Sequence, residues 1–198
     1  MDIRFEIVIN SNDTERLALC RELCNQLMAH QQSLATIAPK AFDGMNFDTR
    51  LMPSFHKSPL KYLAVAMDGE TPVGYVFATI ESIAEGDKST IPPWAPVRPG
   101  QRTQGFYPDW ENPPEVVGCL NQLYIMPAYR GEGLGDQLLD MAMEWIEGDH
   151  EGISRVPMTF VYISNGNDAA LRFYLERGFV VSHDVYNGFI AAAVRCGC

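Results

Sequence analysis

The chain is 198 residues long, 46% hydrophobic and 20% charged, a size and composition that suit one globular domain with a substantial core. Its 15 basic and 25 acidic residues leave a formal charge of −10, which sets the surface against nucleic acid and anionic membrane and admits a cationic substrate. No run is long and apolar enough to span a bilayer, and the opening MDIRFEIVIN lacks the basic flank and apolar core of a signal peptide, so a soluble, cytoplasmic protein is expected.

Ile3 to Asn10 alternates, with Ile3, Phe5, Ile7 and Ile9 against Arg4, Glu6, Val8 and Asn10, and reads as a strand. Ser11, Asn12 and Asp13 offer caps for a helix from about Thr14 to Gln31, with Leu17, Cys20, Cys24, Leu27 and Met28 as its buried stripe. Ser33 to Pro59 is expected to be irregular, broken by Pro39, Gly44, Pro53 and Pro59. Tyr62–Met67 and Val73–Ile83 are β-rich and are joined by a turn at Asp68, Gly69 and Glu70.

Glu85 to Pro114 holds seven of the thirteen prolines, which excludes a continuous helix or central strand. Trp94, Phe106, Tyr107 and Trp110 argue against a plain disordered linker. We expect an ordered insertion that covers a substrate site or builds a subunit contact, so a homodimer is admissible.

Val116 to Met126 is a strand with a phase break. Val116, Gly118 and Leu120 share one parity, Leu123 and Ile125 the other. A bulge near Asn121 or Gln122 would bring both sets to one face; a strand buried on both faces would need none. A helix from about Gly133 to Glu147 follows, its apolar face drawn by Leu134, Leu138, Met141, Ala142 and Trp145 and its end marked by Gly148. A strand (Met158–Ile163), a helix (about Asp168–Arg177, closed by Gly178) and two strands (Phe179–Ser182, Phe189–Val194) complete a mixed α/β order that favours one sheet covered by helices.

The chemistry concentrates in Tyr129-Arg130-Gly131-Glu132-Gly133-Leu134-Gly135-Asp136, between a strand and a helix start. Glycines at alternate positions leave the backbone bare and free to turn its amides into one concavity, with the helix dipole behind them, while Arg130 adds charge. That is a phosphate cradle; a tight turn that needs glycine only for packing has the same pattern. A Rossmann fingerprint is excluded because Asp136 stands where its last glycine belongs, and a P-loop because no Gly-Lys-Ser/Thr closes the run. The second constellation is Asn167-x-x-Ala170-x-x-Phe173-Tyr174-x-x-x-Gly178-Phe179. The five cysteines form no CxxC pair and have no neighbouring histidine, so reduced thiols and no metal are expected.

From Val116 to Phe179 these motifs resemble the GNAT N-acetyltransferase superfamily. The resemblance implies an α/β (α+β) domain over 1–198, with a mostly antiparallel sheet of about seven strands, a bulged fourth strand, and the proline-rich stretch at about 85–114 as an insertion. It implies acetyl-CoA as cosubstrate, with its pyrophosphate on the turn that carries Arg130, Gly131, Gly133, Leu134, Gly135 and Asp136. The pantetheine arm would pair with Leu123, Tyr124 and Ile125, and Asn167 and Tyr174 would lie along it toward the sulfur.

The activity so implied is direct transfer of an acetyl group to a primary amine, on a small molecule or a protein N-terminus. Tyr174 is the candidate general acid, since a phenol is protonated at neutral pH. The base stays open among Glu81, Asp109, Glu111 and Glu115. Cys119 is a poor nucleophile candidate, having no activating neighbour in sequence. A non-catalytic acyl-CoA sensor and an acyltransferase for another acyl-CoA are the competing readings.

Overall fold

The computed structural model describes residues 2–83, 105–108 and 110–197, with the backbone alone at Asp184. Trp94 and most of the proline-rich segment, Asp109 and Cys198 lie outside the described residues. The strands are β1 (Ile3–Ile9), β2 (Lys61–Asp68), β3 (Thr71–Ser82), β4 (Val116–Ile125), β5 (Met158–Ser164), β6 (Val180–Val185) and β7 (Ile190–Cys196). They form one sheet in the order β1-β2-β3-β4-β5-β7-β6. Every neighbouring pair is antiparallel except β4 and β5, which run parallel. The helices are α1 (Thr14–Ala18), α2 (Arg21–Leu34), α3 (Met52–Lys57), α4 (Leu134–Glu147) and α5 (Asp168–Leu175). Among the described residues no helix is long and apolar enough to cross a membrane.

The strand alternation explains why both faces of the sheet are covered. On β2, Tyr62, Ala64 and Ala66 join α4 and α5 in one core, while Leu63, Val65 and Met67 join α1, α2 and α3 in another. Side chains alternate across a strand, so a sheet apolar at both parities must bury both faces.

The phase break in β4 is a bulge. Phe77 on β3 faces Gln122 and Ala78 faces Leu120, leaving Asn121 as the extra residue. Leu120, Leu123 and Ile125 consequently share the α4 face, while Gln122 and Tyr124 point to α2. Burial on both faces also holds for this strand, but it does not account for the phase.

Several boundaries differ from the sequence expectation. The helix expected over Thr14–Gln31 is two: Leu19 N–H bonds to Arg16 O at 3.2 Å and Cys20 N–H to Leu17 O at 3.0 Å, a tightened turn that re-aims the chain and keeps Leu17, Cys20 and Cys24 all inside. The segment expected to be irregular, Ser33–Pro59, holds three helical pieces: Pro39–Phe42, Phe47–Leu51 and α3. Pro39 and Pro53 sit in their first turns, where the missing N–H costs nothing. Asn46 caps the middle piece, accepting from Asp48 N–H at 2.9 Å and Thr49 N–H at 3.2 Å. On edge strand β1 the buried residue is Val8, and Ile7 and Ile9 are exposed. In α4 the inward stripe runs through Leu138, Leu139, Ala142 and Ile146, with Met141 and Trp145 half-buried at its margin. Gly148 ends that helix in an extended conformation, with φ −73°.

The turn after β5 locks α2 against the sheet. Asn165 Oδ1 accepts from Thr36 and Ile37 N–H, each at 2.7 Å, and its amide donates to Ile37 O at 3.1 Å and Phe189 O at 3.0 Å. Gly166 follows with φ +79°, and a Cβ built on it would lie 2.0 Å from Leu34 O. Only glycine tolerates that approach. Gly166→Ala is therefore expected to cost about 2–3 kcal/mol, read as a lower urea midpoint at unchanged slope.

Candidate active site

β4 and β5 are paired only from Gly118 to Leu120 against Thr159 to Val161. Past the Asn121 bulge, β4 continues to Ile125 and β5 to Ser164 without pairing to each other. Two strands that begin side by side and then part open a wedge through the middle of the sheet. A cleft of about 400 Å³ occupies its α4/α5 side and is lined by Leu123, Tyr124, Ile125, Arg130, Asn167 and Tyr174, among others.

At one end stands the glycine turn. Gly131 and Gly133 have φ of +85° and +77°, and a Cβ on either would meet nothing within 4 Å, so both face open space. The first helical hydrogen bond after them is Gln137 N–H to Gly133 O, at 3.1 Å. The amides of Leu134, Gly135 and Asp136 precede it and belong to the unsatisfied first turn. With the dipole of α4 behind them they form an anion-ready concavity. Arg130 leans over it: Nε donates to Ile125 O at 2.9 Å, and the guanidinium carbon is 5.6 Å from the Tyr124 ring centre.

The expected site residues do not all present side chains. Leu134 is buried in the core, and Tyr124 lines the cleft with its hydroxyl turned to Gln26 Oε1 at 3.2 Å. The Asp136 carboxylate is paired with Arg177, whose guanidinium lies 3.7 Å above the Phe173 ring. Gly135 packs on that same ring, its notional Cβ at 3.4 Å. This cluster clamps the start of α4 to α5, and α5 carries Tyr174. Asn167 caps α5, Oδ1 accepting from Ala170 N–H at 3.3 Å.

Tyr174 is buried, with edge contacts to Phe173 and Phe179 at ring separations of 5.2 and 5.5 Å. Burial raises its phenol well above the usual tyrosine range. It therefore holds its proton across physiological pH.

Two α2 residues not assigned to the site from sequence also line the cleft: Leu27, expected only in the buried stripe, and His30. His30 stands three residues beyond Leu27 and extends the buried stripe, the one signal that pointed to it. Burial first, and Arg130 second, push its imidazole below the usual range, so it is neutral at physiological pH.

A second cleft, of about 670 Å³, opens on the opposite side of the bulge. Asn121, Gln122, Tyr162 and Ser164 line it from the parting strands. The aromatic end of the proline-rich segment closes one wall. Phe106 O accepts from Tyr162 Oη at 3.0 Å, and Tyr107 and Trp110 stack at 5.7 Å over Phe160. Of the four carboxylates considered as a base, Glu81 lines this cleft and accepts from Ser58 Oγ at 3.2 Å. Glu111 and Glu115 lie elsewhere, away from its walls, and Asp109 lies outside the described residues. Among the described residues no cluster of three or more metal-ligating side chains occurs.

A seven-stranded sheet parted beside a bulge, with a glycine turn at the helix that follows, defines an acyltransferase-type architecture. The chain belongs to the acetyltransferase (GNAT) family, whose family model matches residues 25–179. Its fold is similar to the PaiA N-acetyltransferase of Thermoplasma acidophilum in complex with coenzyme A, at TM-score 0.60 and 15% identity over 99% of both chains. An acetyltransferase from Thermus thermophilus has TM-score 0.57 and 16% identity, over 99% of this chain and 97% of that one. The NatC complex bound to Gag peptide and CoA has TM-score 0.57 and 15% identity over 100% of both chains. No curated protein matches the chain by sequence.

The thiols offer a check on the site's chemistry. Burial pushes Cys119 up to about 12 and raises Cys20 and Cys24 as well, so none of them supplies thiolate near neutrality. Iodoacetamide at pH 8 should label exposed Cys196 and leave these three unmodified until the protein is unfolded. Peptide mass spectrometry reads the outcome.

Proposed function

We propose that the protein transfers the acetyl group of acetyl-CoA directly to a primary amine. The observation that carries this reading is the continuity of one cleft from the open glycine turn, along the unpaired edge of β4, to Tyr174. Membership of the GNAT family and the coenzyme-A complexes among proteins of like fold support it.

The chain's groups fit such a cosubstrate. Cβ-free positions at Gly131 and Gly133 and the first-turn amides of α4 would hold a pyrophosphate, with the Arg130 charge beside them. The unpaired edge at Leu123, Tyr124 and Ile125 would offer strand-like hydrogen bonds to an amide-bearing arm, as an added strand does. Asn167 and Tyr174 would flank its far end. When bound, acetyl-CoA supplies an activated thioester.

In the reaction the neutral amine nitrogen forms a bond to the thioester carbonyl carbon, and the carbon–sulfur bond breaks. Backbone N–H groups of β4 beyond the bulge stabilise charge on the carbonyl oxygen. Tyr174 Oη, protonated at neutral pH as any phenol is, gives its proton to the departing sulfur. The ammonium form of the acceptor must lose a proton first, and Glu81, on the wall of the second cleft, takes it directly or through water. Direct attack also agrees with the buried, protonated Cys119, which leaves no thiolate for a covalent relay.

The test is release of free thiol from acetyl-CoA across a panel of primary amines. Turnover with none of them would overturn the reading. Tyr174→Phe keeps the ring packing and removes the proton, so we expect kcat to fall about 10²-fold with CoA affinity little changed. Wild-type turnover in that variant would remove Tyr174 as the acid. Gly133→Val sets a side chain in the open cradle and should abolish CoA binding in calorimetric titration while the near-ultraviolet circular dichroism stays native. Unchanged affinity would move the phosphate site elsewhere.

A further inference from the structure

Among the described residues, the second cleft is lined by more cations than carboxylates. The chain carries −10 overall, yet the charged side chains lining this cleft among the described residues are Arg50, Lys57 and Glu81, two cations against one carboxylate. Arg4, Arg16, Arg21, Arg177 and Arg195 are each paired with a carboxylate, whereas Arg50 and Lys57 form no ion pair among the described residues. In a chain with a surplus of acids, an arginine left unpaired at the wall of a cleft is available to a ligand's anion.

Two further features give that cleft a definite chemistry. Ser164 is 6% exposed, and its Oγ has no hydrogen-bond partner among the described residues. A buried hydroxyl without a partner is costly, so ligand or solvent is expected to satisfy it. It shares the β5 face with Tyr162 and lies where β5 has parted from β4. The rest of the wall is mixed, with an aromatic patch of Phe42, Phe106 and Phe189 beside polar Gln31, Asn121 and Gln122. Apolar surface, a polar contact at the wedge and cations on the helical wall suit a ligand with three corresponding parts.

We propose that the acceptor is a small primary amine with an apolar body and a carboxylate, such as a free amino acid with a bulky side chain. Arg50 and Lys57 receive the carboxylate, and the amine points to the wedge. A guanidinium is the better of the two holders, since it meets a carboxylate with two parallel hydrogen bonds. Polyamines and other purely cationic amines, which the overall charge favours, are disfavoured here, because their second charge would face Arg50. This inference rests on the acetyl-transfer reading and specifies the other substrate of the same site.

Phenylalanine, phenylalaninamide and phenethylamine share a ring and an amine and differ in the carboxylate. With full-length enzyme and acetyl-CoA, kcat/KM for phenylalanine should exceed that of the other two at least tenfold. In Arg50→Gln the ratio of acid to amide should fall toward one, through KM. Calorimetric titration of the same three compounds into CoA-loaded protein gives a readout independent of turnover. Tighter binding of phenylalanine that Arg50→Gln abolishes supports the proposal even if no thiol is released, in which case the transfer reading fails and the site assignment stands. Equal or better binding of phenethylamine, or a preference for the acid that survives in both Arg50→Gln and Lys57→Gln, overturns the proposal whatever the turnover.

Discussion

The parting of β4 from β5 is the constraint on which the rest of the molecule depends. Parallel strands normally stay paired along their common length, because each unpaired backbone group in a buried sheet must find another partner. Here the ladder runs only from Gly118 to Leu120. Asn121 then bulges β4 against β3, and a bulge bends its strand and increases the local twist. The two sides of the resulting gap are the two clefts. Gly118 helps to hold the joined end tight: a Cβ there would lie 2.6 Å from both Ile146 Cγ2 and Thr159 Oγ1.

The two clefts lie on either side of the bulge and share no lining residue. The α4/α5 side offers backbone amides, Arg130 and Arg177, and a phenol that burial keeps protonated. The other side offers a carboxylate, two cations and aromatic walls. The proton donor and acceptor proposed above, Tyr174 and Glu81, thus line different clefts. Elements remote from the opening support this. The Asp136–Arg177–Phe173 cluster couples the glycine turn to the helix that carries Tyr174, and Asn165 fastens the α2 side to the end of β5.

Much of this was legible in the residues. Seven strands followed from alternation and turn chemistry, and the break in parity at Asn121 was visible because period-2 patterning makes an inserted residue change phase. The glycine turn showed itself because left-handed backbone strongly favours glycine. Errors fell where tertiary packing overrode local signals. Pro39 and Pro53 were read as breakers but start helical turns, since proline is equally suited to either role. β1 was read as a regular alternation, yet as an edge strand it buries chiefly Val8.

The sequence by itself determined the local pattern: a glycine turn before a helix, a strand whose parity breaks, and a tyrosine one helix further on. These depend on backbone conformation and on residues close in the chain. What only the tertiary structure decided was which distant groups share a cleft. His30 meets Arg130 from a helix far away in the chain, Glu81 rather than Glu111 or Glu115 faces the second opening, and Arg50, Lys57 and Ser164 converge there from a helical segment and a strand far apart in sequence. No periodicity carries that information, because such neighbours are set by the order of strands in the sheet and by the helices packed across it, not by spacing along the chain.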